Sequence, residues 1–156
     1  MLMHLLRTAR RSILRVALML WLSVLWVCAI MPTAQAAPPE GLVVIAHPGL
    51  QKLDMATLRR IWTGRTIEHG GVPVVPVNLP SGQALRDRFM ASVMGQDDEK
   101  FIAYWTVRRY VGKGTPPREV SSVAEMLNLV STTPGAIGYA DLADLRPGMS
   151  LSVLRP

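Results

Sequence analysis

Residues 42–46, LVVIA, are five apolar residues in a row, three of them β-branched. A run this short, with no polar alternation, reads as a strand covered on both faces, as in sheets sandwiched between helices. His47, Pro48 and Gly49 end it. Asp54 then stands as the N-cap of a helix running to about Trp62, with Leu53 and Leu58 placed as a hydrophobic staple. Leu58, Ile61 and Trp62 form that helix's apolar stripe, and Gly64 fits the left-handed residue after it. His69, Gly70 and Gly71 make a turn, and residues 74–77 give a second short strand.

Three further helices are predicted. Leu85, Phe89, Met90, Val93 and Met94 fall on one face of the first, with Arg86, Asp87 and Arg88 toward water and Gly95 as its stop. Asp97, Asp98 and Glu99 open the second, where acids complement the helix dipole. Phe101, Ile102 and Trp105 are its expected core face, and Tyr104, Trp105 and Tyr110 read as packing. Ser122 and Glu125 form a capping box for the third, which carries Val123, Met126, Leu127 and Val130. Pro134 and Gly135 turn into a strand at 136–139, and 151–154 adds a last one. The order is β-α-β-α-α-α-β-(β), which predicts an α/β fold with a mostly parallel sheet flanked by helices.

The first 36 residues have the three parts of an export signal: basic Arg7, Arg10, Arg11 and Arg15, an apolar stretch over 16–31, and Ala34-Gln35-Ala36 before a cut. The stretch is about 16 residues, short of the ~20 that a spanning helix needs. Arg10-Arg11 resembles a twin-arginine signal, while the strongly apolar stretch suits the general route. Trp26 and Val27 are too bulky for a lipidation box ahead of Cys28. Cleavage after Ala36 leaves one domain, 37–156, and lowers the formal charge of +6 by those four arginines to +2. The single cysteine leaves as well, and with it thiol chemistry and disulfides. No basic patch dominates the remainder, so nucleic acid is not an expected partner.

The chemistry-bearing stretch is 74–89, a strand, a tight loop and a helix opening at Ser81-Gly82. Ligands in such sheets collect beyond the carboxyl ends of the strands. There the N–H groups of Gly82, Gln83 and Ala84, the Gln83 amide and the positive end of the helix dipole can face a small anion. The plain alternative is that Ser81 caps the helix and water fills the rest. Gly112-Lys113-Gly114 is no P-loop, because Val107 stands where its leading glycine belongs and Gly114 where Ser or Thr should follow the lysine. His47 and His69 lack metal-site spacing. No nucleophile elbow or carboxylate pair stands out, so neither an enzyme nor a cofactor is expected.

LRRIWTG at 58–64, VPVVPVNLPSGQALRDRF at 72–89 and TPGAIGYAD at 133–141 together resemble the phosphate-type family of periplasmic solute-binding proteins, and the resemblance covers nearly all of the mature chain. The resemblance implies one lobe of a type 2 periplasmic-binding fold, a periplasmic location, an oxyanion such as phosphate as ligand, and an ABC permease as partner. The chain departs from the family pattern in three ways. It is long enough for one lobe only. Asn78 replaces the family's anion-gripping arginine, and Gln83 replaces its threonine. A charge-assisted hydrogen bond contributes about 1.5–3 kcal/mol, so losing that arginine implies roughly ten- to a hundredfold weaker phosphate binding. The expectation is an exported solute-binding-like protein with a weak oxyanion site at Asn78, Ser81, Gly82 and Gln83. The alternative is a periplasmic interaction module that reuses the lobe face, binding another protein or itself as a homodimer.

Overall fold

The computed structural model describes residues 41–155. The expected signal at 1–36, its cleavage point and residues 37–40 lie outside the described residues. The chain forms a five-stranded sheet flanked by helices, with strand order β5-β4-β6-β1-β7. Its strands are β1 (Leu42–Ala46), β4 (Val75–Asn78), β5 (Arg118–Glu119), β6 (Ala136–Asp141) and β7 (Ser152–Leu154). A separate two-stranded ribbon pairs β2 (Glu68–His69) with β3 (Val72–Pro73) around the predicted glycine turn.

β4 runs parallel to both β5 and β6, while β1 runs antiparallel to β6 and β7. Four strands therefore point one way and β1 alone opposes them. All five β1 residues are buried, as their unbroken apolar run requires. β1 pairs with β6 along its whole length, from Leu42 opposite Asp141 to Ala46 opposite Ile137. The carboxyl ends of β4, β5 and β6 share one edge of the sheet, where Asn78, Glu119 and Asp141 stand.

The helices are α1 (Met55–Trp62), α2 (Ala84–Phe89), α3 (Asp98–Tyr110) and α4 (Val123–Thr132). The Asp54 carboxylate accepts the Thr57 N–H at 2.6 Å and caps α1 as expected, and Leu53 and Leu58 are both buried. α2 continues as a π-helical turn over Met90–Met94, closed by Gly95 at φ 67°. Arg59 of α1 donates to the Val93 carbonyl at 2.6 Å in that turn. No helix among the described residues is long and apolar enough to cross a membrane.

Four details differ from the sequence reading. The second strand starts one residue later and keeps Asn78. α3 packs through Phe101, Tyr104, Trp105 and Arg108, a true i, i+3, i+4, i+7 face, which turns Ile102 outward and leaves Tyr110 93% exposed. Arg108 lies over the rings of Tyr104 and Trp105, 5.6 and 5.4 Å from their centroids. Only half of the capping box forms: Ser122 Oγ accepts the Glu125 N–H, but the Glu125 carboxylate turns to the N–H and hydroxyl of Ser121. β5 was not expected, because two exposed charged residues carry no strand pattern.

Gly135 fixes the approach to β6. Its φ is 79°, and a Cβ there would stand 2.0 Å from the Pro73 carbonyl oxygen. Gly135→Ala is expected to destabilise the protein by more than the roughly 1–3 kcal/mol of left-handed backbone alone, read from urea unfolding. An unchanged midpoint would disprove the close approach.

Candidate functional site

The loop after β4 runs through Leu79 and Pro80 to Ser81, Gly82 and Gln83. Gly82 has φ 82°, a conformation that cannot continue into a right-handed helix, so α2 begins two residues later than the sequence implied. The N-cap is Gln83, in extended backbone and with no side-chain cap. Ser81 is thus not the cap. Its hydroxyl donates instead to Asp98 Oδ2 at 2.5 Å, joining the loop to the first turn of α3. Ser81 and Gly82 are exposed and Gln83 is half-buried. The N–H groups of Gly82 and Gln83 find no acceptor among the described residues.

Asn78 lies behind this loop and does not join it. It is 1% exposed, and its Oδ1 accepts the Tyr139 hydroxyl at 2.5 Å. The same Tyr139 oxygen accepts the Leu79 N–H at 3.1 Å. Burial pushes the Tyr139 hydroxyl well above the usual phenol range, so it stays neutral and keeps the proton it gives to Asn78. Phe89 stacks on the Tyr139 ring at 4.1 Å, and Trp62 meets Phe89 at 4.9 Å. Three aromatic rings thereby hold the end of β4 in place.

The main correction concerns Arg86, which the pattern reading had turned toward water. It is 2% exposed. Its Nε donates to Asp98 Oδ1 at 2.7 Å, and its Nη1 donates to both the Leu79 carbonyl and Glu119 Oε1 at 2.5 Å. Burial works against the charge, but the hydrogen bonds to Glu119 and Asp98 outweigh it and raise the Arg86 pKa. The sequence did carry a signal: Arg86 precedes Phe89 by three, Met90 by four and Val93 by seven, which is the apolar stripe itself. Arg88, two residues on, reaches Asp141 at the end of β6 with a 2.6 Å bond.

A guanidinium thus sits under the loop although Asn78 lacks one. It comes from α2 instead of the strand, and Asp98 and Glu119 already accept from it. Asp98 also holds the Ser81 hydroxyl, so one internal carboxylate takes two donors that an oxyanion would use. The free donors are the Gly82, Gln83 and Ala84 N–H groups and the Gln83 amide, a shallow perch for an anion. Neither His47, whose Nδ1 accepts the Gly49 N–H, nor His69 joins it. Among the described residues no group of three or more His, Cys, Asp or Glu side chains could hold a metal.

No family model and no curated protein matches the sequence. Solved structures do match the fold. One is a protein of Clostridium perfringens, assigned as a phosphate ABC transporter substrate-binding protein and solved with bound phosphate, at TM-score 0.57 and 20% identity, covering 74% of this chain and 44% of its own. An ABC-type phosphate transport receptor of Vibrio cholerae aligns at 0.54 and 16% identity, over 74% of this chain and 46% of its own. PstS of Borrelia burgdorferi aligns at 0.54 and 17%, with the same two coverages. The fold is that of one lobe of a periplasmic binding protein. The chain spans less than half the length of each of these structures.

Arg86→Met is expected to cost roughly 3–5 kcal/mol in urea unfolding, because it strands the Asp98 carboxylate and the Leu79 carbonyl without a donor. A loss within about 0.5 kcal/mol, typical of a surface site, would return Arg86 to solvent.

Proposed function

We propose that the protein is an exported, single-lobe relative of the phosphate-type substrate-binding proteins that holds a small oxyanion weakly and performs no bond-making chemistry. Ser81, Gly82 and Gln83 carry the contact, with Asn78 setting the end of the strand behind them. The observation that carries this reading is the loop itself. It leaves the carboxyl end of β4 in a lobe-type fold and offers unpaired N–H groups beside a buried guanidinium. One neighbour of the same fold was solved with phosphate bound.

Weak binding follows from the local charges. An incoming anion meets the Asp98 carboxylate, which already holds the Ser81 hydroxyl, and two acids offset Arg86. The permease and any partner subunit of this lobe belong to the same proposal, since a single lobe offers a carrier only part of the surface of the proteins it resembles.

The test is a thermal-shift titration of the purified protein with phosphate and sulfate against a sodium chloride control of matched ionic strength. Phosphate at a hundred times its Kd adds about 2.7 kcal/mol. Ser81→Asp places a like charge at the perch and is expected to remove the shift. No saturable shift at tens of millimolar would end the oxyanion reading. Export is read separately from the recovered protein, whose N-terminus is expected at Ala37; an uncut Met1 would refute cleavage.

A further inference from the structure

A second recess lies on the other side of Arg86. A cleft of about 410 Å³ opens between α3 and residues 116–119, within the range of about 300–1,000 Å³ usual for small-molecule sites. Ser81, Gly82 and Gln83 do not line it. Phe101, Trp105, Pro116 and Pro117 give it apolar walls, and Asn78, Arg86, Arg109 and Glu119 supply its charged and amide groups.

The polar groups are unbalanced in favour of donors. Arg86 Nη2 makes no hydrogen bond among the described residues, since the guanidinium donates through Nε and Nη1. Asn78 accepts through Oδ1, and its Nδ2 has no acceptor among them. Arg109, exposed on α3, forms no ion pair there. Against these three donors stands one carboxylate of the lining, Glu119, already bonded to Arg86 Nη1 at 2.5 Å, beside the neutral Thr106 hydroxyl; Asp98 holds Arg86 Nε from outside the lining. The Asn78 amide and the Arg86 guanidinium therefore keep N–H groups that an acceptor entering the cleft can pair. The Glu119 side chain is 53% exposed and so can rotate into water at little cost.

We propose that this cleft binds a small organic anion, an oxyanion head joined to a flat apolar body. The head accepts from Arg109, Asn78 Nδ2 and Arg86 Nη2, while the body packs on Trp105, Phe101 and the two prolines. Glu119 is the internal competitor. It occupies the guanidinium when the cleft is unfilled and swings outward as the ligand head takes its place.

The proposal is tested by titrating the purified protein with phenyl phosphate, benzoate and inorganic phosphate, following thermal shift and tryptophan fluorescence. Phenyl phosphate is expected to bind saturably, with a Kd roughly tenfold or more below that of inorganic phosphate because its ring is buried. Arg109→Ala, an exposed position that leaves the core intact, weakens phenyl phosphate roughly ten- to a hundredfold. Glu119→Gln tightens it. Gln83→Ala, at a side chain that bonds neither Asp98 nor Arg86, leaves it unchanged, which separates this cleft from the loop perch whatever the fate of the oxyanion reading. The proposal is overturned if phenyl phosphate does not saturate at tens of millimolar, binds no better than inorganic phosphate, or keeps its affinity in Arg109→Ala.

Discussion

The Arg86 guanidinium is the interaction on which the site end of the molecule depends. One side chain donates to the Leu79 carbonyl after β4, to Asp98 in the first turn of α3 and to Glu119 at the end of β5. Three segments distant in sequence are thereby tied to α2 by one residue. Burying such a charge costs several kcal/mol, which close acceptors offset. Asp98 accepts from Nε, and Glu119 and the Leu79 carbonyl accept from Nη1; the result is register, because the loop, the edge strand and α3 are each held in one place relative to α2.

The same arrangement limits what the loop can bind. An oxyanion site needs donors without internal partners, yet Asp98 takes both the Ser81 hydroxyl and Arg86 Nε. A carboxylate of the protein thus stands where an external anion would gain most. The Tyr139 hydroxyl plays a parallel part deeper in, since it satisfies the Leu79 N–H and the Asn78 amide oxygen at once. Loop geometry and ligand strength are separable properties: the first is held by buried bonds, the second by what those bonds leave unused.

Much of the architecture was legible in the chain because its signals are local. β1 is an unbroken β-branched run, α1 carries its own cap at Asp54, and Gly64 and Gly95 stop helices where left-handed backbone is required. The site was less legible because its bonds are not local. Arg86 meets Asp98 and Glu119 at separations of 12 and 33 residues, and no window of sequence shows a charge its partner at that distance. Pattern reading assigns an arginine to water by default, and here the helical period argued otherwise. Ser81 failed as a cap for a different reason. The positive φ of Gly82, which no residue pattern announces, moves the helix start to Ala84.

The lone reversed strand has a consequence for the life history of the chain. β1 is an interior strand of the sheet but finds its two neighbours, β6 and β7, only in the last third of the described chain. Its five apolar residues therefore leave the ribosome before every other strand and wait for almost all the rest of the sheet. Contacts of that sequence separation set a slow folding step, since the loop entropy must be spent before any pairing rewards it. β1 cannot pair before residues 137–141 are made, and of the five strands it is the one for which a chaperone has the longest opportunity.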